Sequence, residues 1–345
     1  MKRHILFMPK AGNLNHLTLS EEEIDLPVGN QVLVKISHSG LNLADIFACL
    51  GLYSATPTGK FVPGLEFSGI VEQANQSTGF QVGDKVWGFS RFGAYTSRIN
   101  ADPRYLRKIP DGWSLAEAAA FPVQALTAWY GLIELGALKA GQRVLIQSAA
   151  GGVGLHALQI VQSKKANPIA IVGRAEKADY LRQEYGLTDR QIVIRPTDAE
   201  EFSKRLSAVG GNFDIVLDAV AGKFFKPTYQ QLAKAGRYLL FGSADFMPTG
   251  SKPMWPVLAY QYLRRFKPDP LSMISENKAV FGFNLIWLYD RIDEMAGMVD
   301  DLQSVQFRKP FIDSVYSAAD ALQALERLKS GKTKGKVLIS FQNDS

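Results

Sequence analysis

Three closely spaced glycines, Gly151, Gly152 and Gly154, follow an apolar segment at residues 143–147. That segment is predicted to be a strand, and residues 152–165 after the turn repeat apolar side chains at near-helical spacing. A pyrophosphate binds where backbone N–H groups meet the positive end of a helix, and a β-carbon on the turn would hold it away. The spacing therefore predicts a dinucleotide site, and its turn consists of Ala150, Gly151, Gly152 and Val153.

The next predicted strand, residues 169–173, indicates which dinucleotide fits. Proteins that bind NAD usually end this strand with an acid that accepts the ribose hydroxyls, whereas here Gly173 leaves space and Arg174 supplies a planar donor. Lys177, one helical turn later, and Arg195, at the end of the following strand, add positive charge. This arrangement predicts NADPH, with its 2′-phosphate beside these cations. The alternative is an ordinary surface Arg and Lys in a helix-opening turn.

Charge and cysteine content narrow the class of protein. Lys and Arg exceed Asp and Glu by 39 to 33, and the net charge of +6 fits an anionic cofactor without requiring a nucleic acid. Cys49 is the single cysteine, which excludes internal disulfides and cysteine-rich zinc sites. The four histidines show no metal-ligand spacing, so we expect no bound metal. The apolar run after the basic N-terminus is too short for a signal peptide, and we expect a cytoplasmic protein.

The pattern of apolar runs divides the chain into domains. Residues 1–124 alternate short apolar runs with turn residues, as in a small β-rich domain. Residues 125–285 repeat strand, glycine turn and amphipathic helix, which predicts an α/β fold with a doubly wound parallel sheet. The strands of that sheet are expected at residues 143–147, 169–173, 191–195, 213–220, 237–242 and 279–285.

Two further segments differ in composition from their surroundings. Residues 245–273 are rich in proline and contain an aromatic and basic cluster at 255–267, which predicts an irregular lid or partner surface within the α/β domain. Residues 286–345 include a turn-rich stretch at 307–316 and a final predicted strand at 336–341. We expect that strand to return to the first domain.

Several motifs together resemble one enzyme superfamily. Residues 149–154 resemble the AxxGxG turn of the medium-chain dehydrogenase/reductase superfamily, in its zinc-independent quinone oxidoreductase branch. Residues 268–271 and 276–283 are similar to the vesicle amine transport protein-like subgroup. The resemblance implies a GroES-like catalytic domain split around a Rossmann domain, with the active site in the cleft between them. The other segments that resemble signatures of this branch are 40–45 with 51–53, 63–69, 83–86 and 125–129.

The resemblance also assigns residues to that cleft. It implies that Asn42 and Thr127 lie near the nicotinamide and that Tyr53 lines the cleft. Tyr53 could hydrogen-bond an acceptor carbonyl or relay a proton, with water as the alternative proton donor and packing as the alternative role. Phe283 is expected to approach the nicotinamide. Lys336 either contacts the cofactor, as the resemblance implies, or is an ordinary surface lysine.

Three other positions have expected roles. Gly242 and Ser243 follow a predicted sheet strand at its carboxyl end, where ligands collect in doubly wound folds, so we expect both to contact the cofactor. Asp45 is most simply a helix-capping or turn residue.

The sequence departs from the superfamily at two informative positions. Leu65 stands where the zinc alcohol dehydrogenases have a metal-binding histidine, and their cysteine ligands are also missing. Cys49 stands where quinone reductases commonly have arginine. Without a Lewis acid to activate an alcohol, reduction of an already electrophilic acceptor becomes the natural chemistry.

These observations support one main hypothesis and one alternative. The main hypothesis is an NADPH-dependent, zinc-independent reductase that transfers hydride to a quinone or an α,β-unsaturated carbonyl. The alternative is an NADPH-binding protein with little turnover, associated with a membrane surface or a partner through residues 255–267. We expect a homodimer, because the predicted strand at 279–285 would otherwise leave an apolar edge exposed. Nucleic-acid binding is not expected.

Overall fold

The computed structural model describes residues 1–342, and its strands form two large sheets and one hairpin. Strands β1 and β2 pair as the antiparallel hairpin. The fifteen described strands, β1 to β15 in chain order, are Lys2–Phe7, Thr18–Glu23, Val32–Gly40, Glu66–Gln73, Lys85–Phe89, Arg98–Ala101, Leu106–Lys108, Arg143–Ile146, Asn167–Val172, Ile192–Ile194, Phe213–Asp218, Leu232–Leu240, Ala279–Gly282, Ile312–Ser317 and Lys336–Ser340.

The α-helices lie mainly between the strands of the second half. A π-helix at Tyr130–Leu135 continues α3, and a 3₁₀ helix at Leu285–Arg291 follows β13. The described α-helices, α1 to α11 in chain order, are Leu43–Cys49, Leu115–Ala119, Pro122–Trp129, Gly152–Ser163, Ala175–Tyr185, Ala199–Ala208, Phe225–Gln230, Trp255–Leu263, Pro270–Glu276, Ile292–Asp301 and Ala321–Lys329.

The six-stranded sheet is parallel throughout and has the order β10-β9-β8-β11-β12-β13. The chain therefore winds outward from β8 in one direction and from β11 in the other, which is the doubly wound arrangement of a Rossmann fold. Ligands of such sheets collect at the carboxyl ends of the two central strands. The predicted α/β class is confirmed, and each of the six predicted strands is present.

The other large sheet contains β3 to β7 together with β14 and β15 from the C-terminal part. Strand β15 pairs antiparallel with β3, so the prediction that the last strand returns to the first part of the chain is confirmed. Most buried side chains of the two sheets belong to different cores, and Trp87 and Phe89 of β5 pack into the core of the parallel sheet. The predicted domain limits at 124 and 285 remain predictions.

One prediction about local structure was wrong. The segment 245–273, predicted to be irregular, contains α8 and the start of α9, because Pro256 and Pro270 lie in first helical turns, where the fixed φ of proline is accommodated. The Asp269 side chain caps α9 by accepting from the Ser272 N–H at 2.8 Å. The turn-rich stretch 307–316 contains most of β14, an edge strand with little apolar alternation.

Candidate active site

A cavity of about 510 Å³ lies between the two sheets, at the carboxyl ends of the central strands β8 and β11. Most of the predicted site residues line it; Arg174 and Lys336 do not. The residues on its wall that sequence reasoning singled out are Asn42, Tyr53, Thr127, Ala150, Gly151, Gly152, Val153, Gly173, Lys177, Arg195, Gly242, Ser243 and Phe283.

The glycine turn connects β8 to α4 and forms one wall of the cavity. Gly151 is the N-cap of α4 and no side chain caps this helix end, so its first-turn amides are available to an anion. A β-carbon on Gly154 would lie 2.5 Å from the carbonyl oxygen of Ser148, which fixes glycine there for close helix–strand packing. The Gly335 N–H donates to the Ala150 carbonyl at 3.1 Å and holds the C-terminal loop beside the turn. The wall fits a pyrophosphate.

Positive charge collects beyond the end of β9. The Lys177 ammonium donates to the Gly331 carbonyl at 2.8 Å. Burial first, and the neighbouring charge of Arg174 second, lower the pKa of Lys177 to about 8. The Arg195 guanidinium donates to Gln147 Oε1 at 3.2 Å and stacks over a phenylalanine ring. No atom approaches the position of a β-carbon on Gly173 within 4 Å, which leaves open space for a phosphate beside these cations.

Arg174 lies at the edge of this group of cations. It is the N-cap residue of α5, and its side chain is exposed and does not line the cavity. Its predicted contact with a 2′-phosphate stays a prediction, and Lys177 is the cation that the fold brings to the cavity wall.

At the opposite end the Asn42 amide is fixed by a buried ion pair. Asn42 Nδ2 donates to Glu66 Oε1 at 2.7 Å, and Lys336 Nζ donates to Asn42 Oδ1 at 2.8 Å. Lys336 and Glu66 lie 2.5 Å apart, and their side chains are 1% and 0% exposed. The other Glu66 oxygen accepts from the Val123 N–H at the start of α3. The surface-lysine alternative for Lys336 was therefore wrong, because the side chain is buried behind the cavity wall and orients Asn42.

Phe283, Thr127 and Gly242 also line the cavity. The Phe283 ring stacks on Phe241 with centroids 5.7 Å apart. Thr127 Oγ1 donates to the Val123 carbonyl within α3. A β-carbon on Gly242 would lie 2.7 Å from the Ala219 carbonyl, so the strand ends approach each other closely here. These contacts make the wall rigid without adding charge.

Tyr53 and Asp45 have different environments. The Tyr53 hydroxyl donates to Asn284 Oδ1 at 2.7 Å, and burial raises its pKa to about 12. Asp45 is fully buried and accepts from the Asn42 N–H and the Tyr95 hydroxyl, both at 2.8 Å. Burial raises the pKa of Asp45 to about 6. Asp45 closes a capping box at the start of α1, as expected of a helix-capping residue.

The side chains of this site do not fit a zinc ion. Leu65 lines the cavity, and within residues 1–342 no group of three or more His, Cys, Asp or Glu could hold a metal. The Glu66 carboxylate is paired with the Lys336 ammonium.

Sequence reasoning missed several wall residues. Gln147 ends the predicted strand at 143–147, and Asp245 follows the predicted strand at 237–242, so strand ends are a signal that could have found them. Glu66, behind the wall, lies in segment 63–69, which resembles a signature of this branch. Asn284 is the N-cap of the 3₁₀ helix after β13 and Tyr289 lies within that helix, and the sequence pattern there does not point to the cavity.

Comparison with known protein families matches both parts of the fold. Residues 29–128 match the family described as alcohol dehydrogenase GroES-like domain. Residues 189–339 match the family described as zinc-binding dehydrogenase. The second description contrasts with the side chains just described, in which no zinc ligand set is present within residues 1–342.

Curated relatives cover nearly the whole chain. A mouse protein, synaptic vesicle membrane protein VAT-1 homolog-like, is 30% identical over 338 residues, which is 96% of this chain and 79% of the relative. The zebrafish (Danio rerio) synaptic vesicle membrane protein VAT-1 homolog is 32% identical over 90% of this chain, which spans 64% of that relative's length. This chain belongs to the quinone oxidoreductase-like branch of the medium-chain dehydrogenase/reductase family. That branch is a family of oxidoreductases.

Solved structures agree with this assignment. Mycobacterial Rv1454c complexed with NADPH has a TM-score of 0.81 and 26% identity, covering 98% of this chain and 99% of the other. A quinone oxidoreductase from Pseudomonas syringae pv. Tomato has a TM-score of 0.79 and 25% identity, covering 99% of this chain and all of the other. Within the described part of this chain, no helix has the length and apolar character needed to cross a bilayer.

Proposed function

We propose that this protein is an NADPH-dependent reductase that transfers hydride, without zinc, to a quinone or an α,β-unsaturated carbonyl. The observation that carries the proposal is the single cavity that joins an uncapped helix N-terminus, a group of cations and an apolar end with neutral hydrogen-bonding groups. The NADPH complex of the mycobacterial neighbour supports the choice of cofactor.

The cavity wall offers a distinct contact to each part of NADPH. The glycine turn and the first turn of α4 would hold the pyrophosphate. Lys177 and Arg195, with Arg174 at the rim, would pair with the 2′-phosphate. Asn42 and the other wall residues at the far end, Thr127, Gly242, Ser243 and Phe283, would hold the nicotinamide side.

When bound, NADPH supplies the hydride, and the protein has to orient the ring, exclude water and handle one proton. Asn42 is suited to orienting the ring, because Lys336 and Glu66 fix both ends of its amide. Tyr53 keeps its proton at neutral pH, since burial raises its pKa to about 12. Either Tyr53 or water supplies the proton to the reduced acceptor.

The absence of a zinc ligand set among the described residues supports reduction as the working direction. Alcohol oxidation in this fold depends on a Lewis acid that lowers the alcohol pKa, whereas an enone or quinone is already electrophilic. Leu65 and the buried Lys336–Glu66 pair replace a metal site with neutral or internally compensated groups.

The test is NADPH consumption by the purified protein with a panel of quinones and enones, followed at 340 nm and repeated with NADH. We expect turnover with at least one acceptor class and a preference for NADPH. Tight NADPH binding without turnover across the panel would contradict the proposal and favour the second candidate.

The second candidate is an NADPH-binding protein that associates with a membrane surface or a partner. It is favoured by α8 and α9, whose apolar side chains include Trp255, Leu263 and Ile274, exposed by 64%, 76% and 76%. Arg264 and Arg265 lie directly after α8 and add positive charge. Co-sedimentation with vesicles of phosphatidylcholine and phosphatidylserine tests it, and recovery of all protein in the supernatant would contradict it. The cytoplasmic location expected from the sequence stays part of the proposal.

We also propose a homodimer. Strand β13 is at one edge of the six-stranded sheet, and an open parallel edge can pair with a second copy. Light scattering coupled to size-exclusion chromatography should give twice the chain mass of 38.0 kDa. A monomer at micromolar concentration would contradict this part.

A further inference from the structure

A tyrosine on the cavity wall carries a buried hydroxyl group that the proposed function does not use. Tyr289, in the 3₁₀ helix Leu285–Arg291, lines the cavity. Its hydroxyl oxygen is buried and has no hydrogen-bond partner within residues 1–342. A buried hydroxyl without a partner costs free energy, so a ligand that supplies an acceptor atom there gains a hydrogen bond that the protein cannot make alone.

Tyr289 lies at the Asn42 end of the cavity. Burial first, and then the neighbouring Tyr105, Glu66 and Tyr53, raise the pKa of Tyr289 well above its ordinary value. Glu66 also accepts a hydrogen bond from the Asn42 amide, so Tyr289 and Asn42 share this carboxylate as a neighbour. The hydroxyl therefore stays protonated at neutral pH and is able to donate.

Contacts outside the cavity fix the position of Tyr289. The Tyr105 hydroxyl donates to the Tyr289 carbonyl oxygen at 3.2 Å, and the two rings pack with centroids 5.1 Å apart. Arg91 pairs with Asp290 at 3.2 Å and lies over the Trp287 ring. Residues next to β5 and β7 of the GroES-like sheet thus contact the 3₁₀ helix on both sides of Tyr289.

The neighbouring Tyr53 differs in one decisive respect. Its hydroxyl hydrogen is already used, because it donates to Asn284 Oδ1 at 2.7 Å. The Asn284 oxygen in turn accepts from the Ile286 N–H, which keeps it oriented toward Tyr53. Tyr53 can accept a hydrogen bond without any rearrangement, but it can donate its hydrogen to an acceptor only by releasing Asn284. Of the two tyrosines, Tyr289 is the available donor.

The walls around these two tyrosines indicate the kind of molecule that would use the donor. Four charged side chains lie on the described wall, and none of them is hydrogen-bonded to Tyr53 or Tyr289. Lys177, Arg195 and Lys329 donate to Gly331, Gln147 and Gly250, and Asp245 accepts from the Lys223 N–H. The described wall therefore holds no cation bonded at Tyr53 for an anionic acceptor, and Arg91, which is not part of the wall, is paired with Asp290. The wall there is made of apolar side chains, among them Leu43, Phe47, Leu52, Leu65, Leu285 and Ile286.

We propose that the Tyr289 hydroxyl donates the hydrogen bond that holds the oxygen of an uncharged, apolar carbonyl acceptor, and that Tyr289 thereby selects the acceptor. This inference rests on the proposed function for its acceptor class and adds the residue that recognises the oxygen. Tyr289 acts here as a binding residue, and no proton transfer from it is required.

The test compares binding of two probes that differ only at the carbonyl. The probes are trans-4-phenyl-3-buten-2-one and its hydrocarbon analogue trans-1-phenyl-1-butene, measured by equilibrium dialysis in the presence of NADP⁺, which cannot supply hydride. In Tyr289→Phe the affinity for the enone should fall about three- to tenfold, the range for one hydrogen bond, while the hydrocarbon affinity stays within twofold. The melting temperature should stay equal or rise, because an unpartnered hydroxyl is removed.

Two matched variants complete the design. Tyr262→Phe removes the hydroxyl of an exposed tyrosine outside the cavity, and Tyr53→Phe removes the hydroxyl that is bonded to Asn284. Tyr262→Phe should leave the enone-to-hydrocarbon affinity ratio within twofold of the wild type, and Tyr53→Phe should lower it less than Tyr289→Phe does. The inference is overturned if the ratio is unchanged in Tyr289→Phe, if both probes weaken equally, or if only Tyr53→Phe lowers the ratio.

This experiment is separable from the test of the proposed function. Turnover with NADPH decides whether the protein is a reductase, whereas the affinity ratio is measured without turnover. A wild-type protein that turns over enones but shows no Tyr289 dependence would contradict the inference alone. A protein without turnover whose affinity ratio depends on Tyr289 would contradict the proposed function alone.

Discussion

The two ends of the cavity differ in the chemical groups that form them. The cation end consists of a helix N-terminus and three basic residues, of which Lys177 and Arg195 reach the wall. The opposite end has a wall of neutral side chains, and the Lys336–Glu66 ion pair behind it is internally compensated. One end can recognise charge, while the other can recognise only shape and a hydrogen-bonding oxygen. The difference matches a charged cofactor and an uncharged acceptor in one cavity.

The largest expected effect concerns the compensated pair at the neutral end. Lys336→Met leaves the Glu66 carboxylate buried without its partner, which typically costs about 3–5 kcal/mol of unfolding free energy. Urea unfolding measures it, and Lys332→Met, at an exposed site four residues earlier, should change the unfolding free energy by less than about 0.5 kcal/mol. Equal effects of the two substitutions would contradict the burial of this pair.

Charge reversal at the cation end should affect binding more than stability. Lys177→Glu is expected to weaken NADPH about 100-fold, because a charge-assisted hydrogen bond to the phosphate is replaced by repulsion. NADH, which lacks that phosphate, should weaken by less than about threefold. Isothermal titration measures both, and Lys204→Glu on the exposed face of α6 serves as a control with the same change in net charge. Similar losses for both cofactors would place the phosphate elsewhere.

Arg174→Glu makes the same charge reversal at an exposed position, where its effect on NADPH affinity should be smaller. Its side chain is exposed and solvent screens it, so we expect about a tenfold loss of NADPH affinity and almost none for NADH. The loss of NADPH affinity should be larger for Lys177→Glu than for Arg174→Glu. The opposite order would mean that Arg174 folds over the cofactor. Equal weakening of NADPH and NADH would refute a role at the phosphate.

The smallest expected effect is a pH dependence of NADPH affinity that arises only at the cation end. The pKa of Lys177 is about 8 in the cofactor-free protein, and a bound phosphate favours the charged form. As pH rises through 8 the free protein loses this proton and binding must restore it, so NADPH affinity falls by at most about tenfold per pH unit. Lys177→Arg, which stays charged, should flatten the profile. A profile that is equally steep in this variant would assign the titration to another group.

Spacing along the chain pointed to the cation end, whereas most of the neutral-end residues came only from the family resemblance, for a physical reason. The glycine turn, Gly173 and Lys177 lie within about one βαβ unit, where a strand, a turn and a helix are adjacent in the chain. Local spacing therefore carries most of the information, and the six parallel strands followed from the same periodicity. The prediction failed at residues 245–273, where prolines were taken to indicate irregular structure although two of them lie in the first turns of α8 and α9.

The neutral end depends on contacts between distant residues. Asn42 meets Lys336 across 294 positions, and Tyr53 meets Asn284 across 231. Spacing along the chain does not reveal such pairs. The sequence therefore left two alternatives for Lys336, a cofactor contact and a surface lysine. Tyr289 was missed altogether, because nothing in a 3₁₀ helix after an edge strand indicates which side chain faces a cavity. Only the tertiary structure shows that its hydroxyl lacks a partner.

The central claim is that one cavity brings NADPH and an uncharged acceptor together for direct hydride transfer. The most direct measurement uses NADPH carrying two deuterium atoms at C4 of the nicotinamide, with trans-4-phenyl-3-buten-2-one as acceptor in ordinary water. The account predicts 4-phenylbutan-2-one with one deuterium, located on the carbon β to the carbonyl, as read by mass spectrometry and NMR. Product without deuterium at that carbon, or no product although both molecules bind, would contradict it.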